Sequence, residues 1–172
     1  MKKSILPMLF LAAFNTLLSQ SINDLDFLIG TWKVVETIYP GTEKEYQELG
    51  SRTCEYYLNG SFIKCESKTV DQRNQQERAY AYLINYHKKE DVFLVTSLAH
   101  DFPLHGQHKW FLDKENQQLN AISPKNVIED RFFRATISYS DKNRLVWNGW
   151  ASVYLKDKEW KQIFNDVTIR VK

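Results

Sequence analysis

The sequence predicts an all-β protein, a single antiparallel up-and-down β-barrel of roughly 8–10 strands. Two observations carry this prediction: apolar and polar residues alternate in short segments, and turn residues recur about every ten positions. Aromatic residues make up 14% of the 172-residue chain, and there are only six glycines and four prolines, as suits a β-rich globular domain. A barrel is favoured over a sandwich because closure leaves no unpaired strand edge.

The first 21 residues have the layout of a secretory signal peptide. Lys2 and Lys3 provide a positive start, residues 5–14 are apolar, and Ser19-Gln20-Ser21 offers small residues for cleavage. The apolar run is too short for a membrane-spanning helix, and no later segment is long and apolar enough to be one. We therefore expect a signal peptide at residues 1–21 and a secreted or periplasmic barrel domain at 22–172, the alternative being a retained anchor.

The first five predicted strands follow from alternation and turn residues. Trp32 and Val34 alternate with polar neighbours, and residues 78–87 carry tyrosines at alternate positions. Asn59-Gly60 is typical of a two-residue hairpin turn because both residues tolerate positive φ. The predicted strands cover residues 32–38, 53–58, 61–70, 78–87 and 92–98.

Five more strands follow the turn at residues 100–104. Phe133 and Ile137 share one face of their strand, which leaves Arg134 on the other. Solvent exposure of Arg134 is therefore favoured over a carboxylate-binding role inside the barrel. The predicted strands cover residues 107–112, 118–123, 131–139, 144–154 and 160–171.

The two cysteines face each other if Asn59-Gly60 is the turn. Paired positions then sum to 119, as do Cys54 and Cys65. Cross-strand neighbours lie close enough for a bridge with little adjustment, and an oxidising export compartment favours it. We predict a structural disulfide, with two buried free thiols as the alternative.

The charge balance excludes two classes of partner. The chain has 23 basic and 21 acidic residues, and loss of Lys2 and Lys3 with the signal leaves 21 of each. A neutral domain has no field to attract nucleic acid or an anionic membrane surface. We expect neither partner, and no integral membrane segment after signal cleavage.

The segment Gly30-Thr31-Trp32 resembles the opening of lipocalins, fatty-acid-binding proteins and nitrobindin-like barrels, members of the calycin superfamily. The hairpin with its turn at residues 58–60 is similar to that of an uncharacterised secreted bacterial family of lipocalin-like domains. The resemblance implies that Trp32 plugs one end of the barrel and that Arg170, on the last strand, lies across it in a cation–π contact.

The same resemblance raises the question of haem. Nitrobindin-like barrels ligate haem through a histidine of the last strand, and Asp166 stands at that position here. A carboxylate is a poor haem-iron ligand beside imidazole or thiolate. We therefore expect no haem and no other cofactor.

Other chemistry has weak support in the sequence. His100, His105 and His108 cluster, but positions 105 and 108 face opposite sides of a strand, and no metal-binding spacing accompanies them. The sequence has no phosphate loop, no nucleophile elbow and no His-Glu-x-x-His motif. We predict no metal site and no catalytic residues.

Aromatic residues at alternating positions provide the functional hypothesis. A barrel of this size either fills itself or encloses one small molecule, and aromatic walls suit a flat or hydrophobic ligand. The first hypothesis is therefore an exported protein that binds such a molecule inside the barrel. The alternatives are a filled barrel acting as an envelope or protein-interaction module, and a calycin-type lyase or isomerase. The residues predicted to contact the ligand are Tyr56, Tyr82, Trp110, Phe133 and Trp147.

Overall fold

Ten antiparallel strands form one closed barrel in a computed structural model of the chain, which confirms the predicted fold class. The structure describes residues 20–100, 102–123, 132–152 and 160–171, so nearly all of the predicted signal peptide lies outside it. Each strand pairs with its neighbours in the chain, and the last pairs with the first. The strands are β1 (Gly30–Ile38), β2 (Tyr46–Tyr57), β3 (Phe62–Asp71), β4 (Glu77–His87), β5 (Val92–Ala99), β6 (Phe102–Asp113), β7 (Gln118–Ile122), β8 (Phe132–Asp141), β9 (Arg144–Ser152) and β10 (Lys161–Arg170).

Two strands begin at least five residues earlier than the sequence predicts. β2 starts at Tyr46 rather than at residue 53, and β6 starts at Phe102 rather than at residue 107. The added part of β2 turns Glu48 and Arg52 towards the interior, where both are buried. Charged side chains on the inward face conceal a strand from a search for apolar alternation.

A short 3-10 helix at Ile22–Leu28 closes one end of the barrel, here called the plugged end. Its Leu25 and Leu28 are fully buried, as is Trp32 at the start of β1. The Trp32 indole N–H donates a hydrogen bond to the carbonyl oxygen of Leu28 at 2.9 Å. Apolar burial and this bond together fasten the helix into the barrel.

Arg170 lies across Trp32, as the resemblance implies. Its guanidinium carbon is 4.1 Å from the centroid of the indole ring, and its Nη2 donates to the Phe27 carbonyl oxygen at 3.1 Å. Gly30 makes room for it, since a Cβ there would sit 2.4 Å from Arg170 Nη1, and Gly30 also has a φ of +128°. Only glycine readily meets both demands.

The predicted disulfide is confirmed. Cys54 and Cys65 are register partners across β2 and β3, and they form a bridge. Both are buried beneath the plugged end, within the hydrophobic core. The hairpin turn is also as predicted, since the Ser61 N–H donates to the Leu58 carbonyl oxygen at 3.2 Å.

In the described part of the chain, no helix has both the length and the apolar character needed to cross a membrane.

Candidate functional site

The barrel interior changes character along its axis. Near the plugged end it is a hydrophobic core that includes Ile63, Ile84 and Phe93, all fully buried. Towards the opposite end, the inward positions become aromatic and then polar. The interior can be followed along each strand in this way because every second residue points inward.

Three of the predicted ligand-contacting residues meet in the middle of the barrel. The Tyr82 ring stacks on Trp147 with centroids 5.9 Å apart and lies 6.1 Å from Trp110. Trp110 and Trp147 meet edge to face at 5.7 Å. Both tryptophans are buried, whereas Tyr82 retains accessible surface. We call these three side chains the aromatic cluster.

Phe133 faces inward in a second group nearer the far end. Its ring stacks on Phe164 at 6.2 Å and meets the edge of His108 at 5.4 Å. Gly149 accommodates Phe164, because a Cβ at Gly149 would lie 2.2 Å from that ring. Phe133, Phe164 and His108 all retain accessible surface.

Tyr56, the fifth predicted contact, is not brought to the other four. It lies at the plugged end with 39% of its surface exposed. Its hydroxyl donates a hydrogen bond to the Asp26 carboxylate, and Asn23 Oδ1 lies 3.2 Å from the same hydroxyl oxygen. Tyr56 is at an inward-facing position of β2, but the end of this strand extends beyond the plug. Its side chain therefore contacts the 3-10 helix instead of the barrel interior.

A buried ion pair spans the interior beside the aromatic cluster. Arg52 Nη2 lies 2.6 Å from Asp166 Oδ2, and both side chains are 2% exposed. Arg52 also donates to the Ser67 hydroxyl at 2.8 Å and to the Tyr80 hydroxyl at 2.9 Å. Its guanidinium carbon is 4.4 Å from the Trp147 ring centroid, a cation–π contact.

A second charged group lies beyond the ion pair, nearer the end opposite the plug. Arg78 pairs with Glu36 at 2.8 Å and with Glu48 at 2.9 Å. The Thr69 hydroxyl donates to Glu48 at 2.5 Å, and Tyr80 contacts Glu36 at 3.4 Å. Through Tyr80 this group connects to Arg52, so the five charged interior side chains form one hydrogen-bonded network.

Burial shifts the pKa values of several interior groups, among them Glu36 and His108. Burial raises the pKa of Glu36 from 4.5 to about 7, against the lowering effect of Arg78. Burial also lowers the pKa of His108 from 6.5 to about 4, so its imidazole is neutral at physiological pH. His108 Nε2 lies 3.0 Å from the Ser97 hydroxyl.

Glu36→Gln should change how stability depends on pH. Folding raises the pKa of Glu36, so its contribution to stability is present below pH 4.5 and is lost as the pH rises through about 7. The variant lacks this loss. Its free energy of unfolding relative to wild type should therefore rise by about 3 kcal/mol between pH 4.5 and pH 8. Urea unfolding across that range measures it, and a constant difference would contradict the shifted pKa.

His108→Gln should change the pH dependence of stability in the opposite direction. The depressed pKa of His108 makes wild-type stability fall as the pH drops from 6.5 towards about 4. In wild type the Glu36 and His108 slopes oppose each other between pH 4.5 and 6.5. Removing His108 should therefore leave a protein that becomes more stable on acidification through this window.

The charged interior residues are absent from the predicted site, although parity carried a signal for them. Glu36 shares its strand face with Trp32 and Val34, and Arg52 shares one with Cys54. Their partners are far away in the sequence, with 114 positions between Arg52 and Asp166. Strand parity thus indicates which charges point inward, but only barrel closure brings them together.

Haem and metal ions can be tested against these side chains. Asp166, which the resemblance places at the position of the haem-ligating histidine, is ion-paired with Arg52, and a carboxylate is a poor ligand for haem iron. The absence of haem stays a prediction. Among the described residues, no group of three His, Cys, Asp or Glu is placed to hold a metal ion. His100 is exposed, and the His105 side chain lies outside the described set.

The outer surface carries a group of cation–π contacts and a shallow depression. Arg134 is exposed on the outside, as expected, and makes cation–π contacts with Trp150 and Trp160 at 5.3 and 4.6 Å. A shallow depression lies over β3, β4 and β5, where Ala79 and Ala81 leave space between larger neighbours. It is separate from the aromatic cluster.

The fold is similar to that of several solved structures. Rv2717c from M. tuberculosis aligns with a TM-score of 0.64 at 7% identity, over 88% of this chain and 97% of that one. The S-type phycobiliprotein lyase CPES from Guillardia theta aligns with a TM-score of 0.62 at 8% identity, over 89% and 94%. At such identities the likeness is one of fold alone, that of a closed antiparallel barrel. No protein-family model and no curated protein matches the sequence.

Proposed function

We propose that this protein is an exported binding protein that holds one small aromatic or hydrophobic molecule inside the barrel. The observation that carries the proposal is the partial accessibility of inward-facing aromatic side chains away from the plug. Tyr80, Tyr82, Phe133 and Phe164 all point inward, yet all retain accessible surface. Stacking surfaces that face inward and remain accessible are suited to a flat ligand.

Binding of a neutral fluorescent probe, N-phenyl-1-naphthylamine, tests this proposal. Wild-type protein should bind one probe molecule, and Tyr82→Leu should weaken binding about three- to tenfold through loss of stacking. Tyr57→Leu is the matched control, because Tyr57 lies on the exposed outer face of the same barrel. Equal loss in both variants, or in neither, would place the probe outside the aromatic cluster.

Native mass spectrometry of the protein from its own host addresses the natural ligand. A reproducible added mass that is lost on denaturation would support the proposal. A bare chain would favour the alternative of a protein-interaction module.

One observation supports that alternative. Leu49, Val35, Val167 and Val146 are successive register partners across β2, β1, β10 and β9. They point outward, and Leu49 and Val35 are 42% and 39% exposed. A row of apolar side chains on the outer face is a feature of interaction surfaces.

The proposal assigns binding without catalysis. The enzyme alternative, a lyase or isomerase, would rely on Glu36, since a carboxyl group with a pKa of about 7 suits proton transfer at neutral pH. In this structure that carboxylate is engaged by Arg78 and Tyr80. Binding is therefore the function that the interior geometry supports best.

A further inference from the structure

The ion pair between Arg52 and Asp166 is incomplete. A guanidinium and a carboxylate commonly make two parallel hydrogen bonds, but here Nη2 alone bonds to Oδ2. Among the described residues, Arg52 Nη1 and Asp166 Oδ1 are buried and have no hydrogen-bond partner. The pair thus keeps one free donor and one free acceptor inside the barrel.

Trp147 adds a second free donor at the same place. Its Nε1 is likewise buried without a partner in the described structure. Trp147 is the register partner of Asp166 across β9 and β10, and Arg52 lies against its ring. Three neighbouring side chains, none more than 3% exposed, therefore leave polar atoms unpaired. Buried polar atoms are rarely left so, because each loses its bond to water.

The charges here determine what could bind. Arg52 is already neutralised by Asp166, so a carboxylate ligand would gain one guanidinium and meet one carboxylate. Counted over the network, two arginines face three carboxyl groups, those of Glu36, Glu48 and Asp166. Within this described network there is no excess positive charge to attract an anion, although a buried arginine considered alone would indicate an anion site.

We propose that Arg52, Asp166 and Trp147 recognise a neutral planar group with a hydrogen-bond acceptor and donor on one edge, as in a cyclic amide. The inference rests on the proposed binding function and specifies its ligand class. The acceptor of the ligand takes bonds from Arg52 Nη1 and Trp147 Nε1, and its N–H donates to Asp166 Oδ1. The attached ring lies among the aromatic side chains, where Tyr82 stacks on Trp147.

Displacement of N-phenyl-1-naphthylamine by three similar bicyclic compounds tests this inference. They are 2-quinolinone, which is a neutral cyclic amide, naphthalene, which is apolar, and 2-naphthoate, which is an anion at pH 8. Wild-type protein should bind 2-quinolinone at least about tenfold more tightly than either of the others. Tightest binding of 2-naphthoate would overturn the inference and indicate an anion site.

Single-residue variants test which side chains cause the preference for 2-quinolinone. Trp147→Phe keeps an aromatic ring but lacks Nε1, so it should weaken 2-quinolinone binding about three- to tenfold more than it weakens naphthalene binding. Trp150→Phe, on the outward face of the same strand, should change neither. Asp166→Asn leaves Arg52 uncompensated and should shift the preference towards 2-naphthoate. If that variant does not fold, the result for Trp147→Phe alone tests the inference.

The outcomes separate the two proposals. If naphthalene binds as tightly as 2-quinolinone and binding still depends on Tyr82, the barrel binds ligands but the three polar atoms serve only bound water. If no compound displaces the probe and the probe does not depend on Tyr82, the binding function itself is wrong.

Discussion

Replacing Arg52 with methionine is expected to lower the free energy of unfolding by about 3–5 kcal/mol, because removal of one partner leaves a buried charge uncompensated. Methionine fills much of the same volume, so the loss comes from the uncompensated charge of Asp166 and from the lost hydrogen bonds to the Ser67 and Tyr80 hydroxyls. Urea unfolding at pH 8 measures it. The loss should shrink on acidification, since a protonated Asp166 no longer needs a cation.

Two control variants distinguish the loss of charge compensation from the loss of packing. In Arg52→Met with Asp166→Leu, both charges are gone, and most of the lost stability should return. Arg144→Met removes an exposed arginine and should change stability by less than about 0.5 kcal/mol. If the double variant is as unstable as Arg52→Met, the cost lies in packing rather than in the unpaired carboxylate.

Truncating Trp32 to alanine should have the other large effect, a loss of about 3–5 kcal/mol. The indole is fully buried, and its removal leaves a cavity, an unpaired Leu28 carbonyl oxygen and an Arg170 without its ring. Thermal unfolding monitored by circular dichroism measures the loss. Where the variant is folded, probe binding should be nearly unchanged, because the plug is at the other end from the accessible aromatic residues.

Trp150→Ala is the matched control for Trp32→Ala. Trp150 is half-buried on the outer face, so its removal should cost clearly less than that of Trp32. Equal losses in the free energy of unfolding would indicate that Trp32 stabilises the protein only through the surface area it buries. The plug would then make no separate contribution to stability. Loss of probe binding in a folded Trp32→Ala would show that the plugged end takes part in the site.

Much of the framework could be predicted from residues that act locally. The alternation in β1, β4 and β8 depends on neighbours within one strand, and the Asn59-Gly60 turn determines the β2–β3 register through its own backbone preferences. The Cys54–Cys65 bridge follows from that register alone. The expected number of strands was also met, since each short segment ends at its own turn.

The site was less predictable, because its residues depend on partners across the barrel. The aromatic cluster was anticipated in Tyr82, Trp110 and Trp147, all at inward parity and all apolar enough to be assigned to the interior. Tyr56 shares that parity but lies beyond the plug. The early part of β2 escaped prediction because Glu48, Gly50 and Arg52, at its inward positions, are charged or lack a side chain.

The sequence by itself determined most of each strand, the β2–β3 hairpin register and the disulfide, since these depend on periodicity and on turn residues close together in the chain. The contact between Trp32 and Arg170 was expected only from the resemblance to lipocalin-like barrels. The tertiary structure alone decided that Arg52 and Asp166 form a pair, because they meet only when β10 closes against β1. It also decided which polar atoms of that pair stay free. Whether a buried charge is satisfied depends on the three-dimensional positions of distant side chains, and periodicity within one strand carries no information about them.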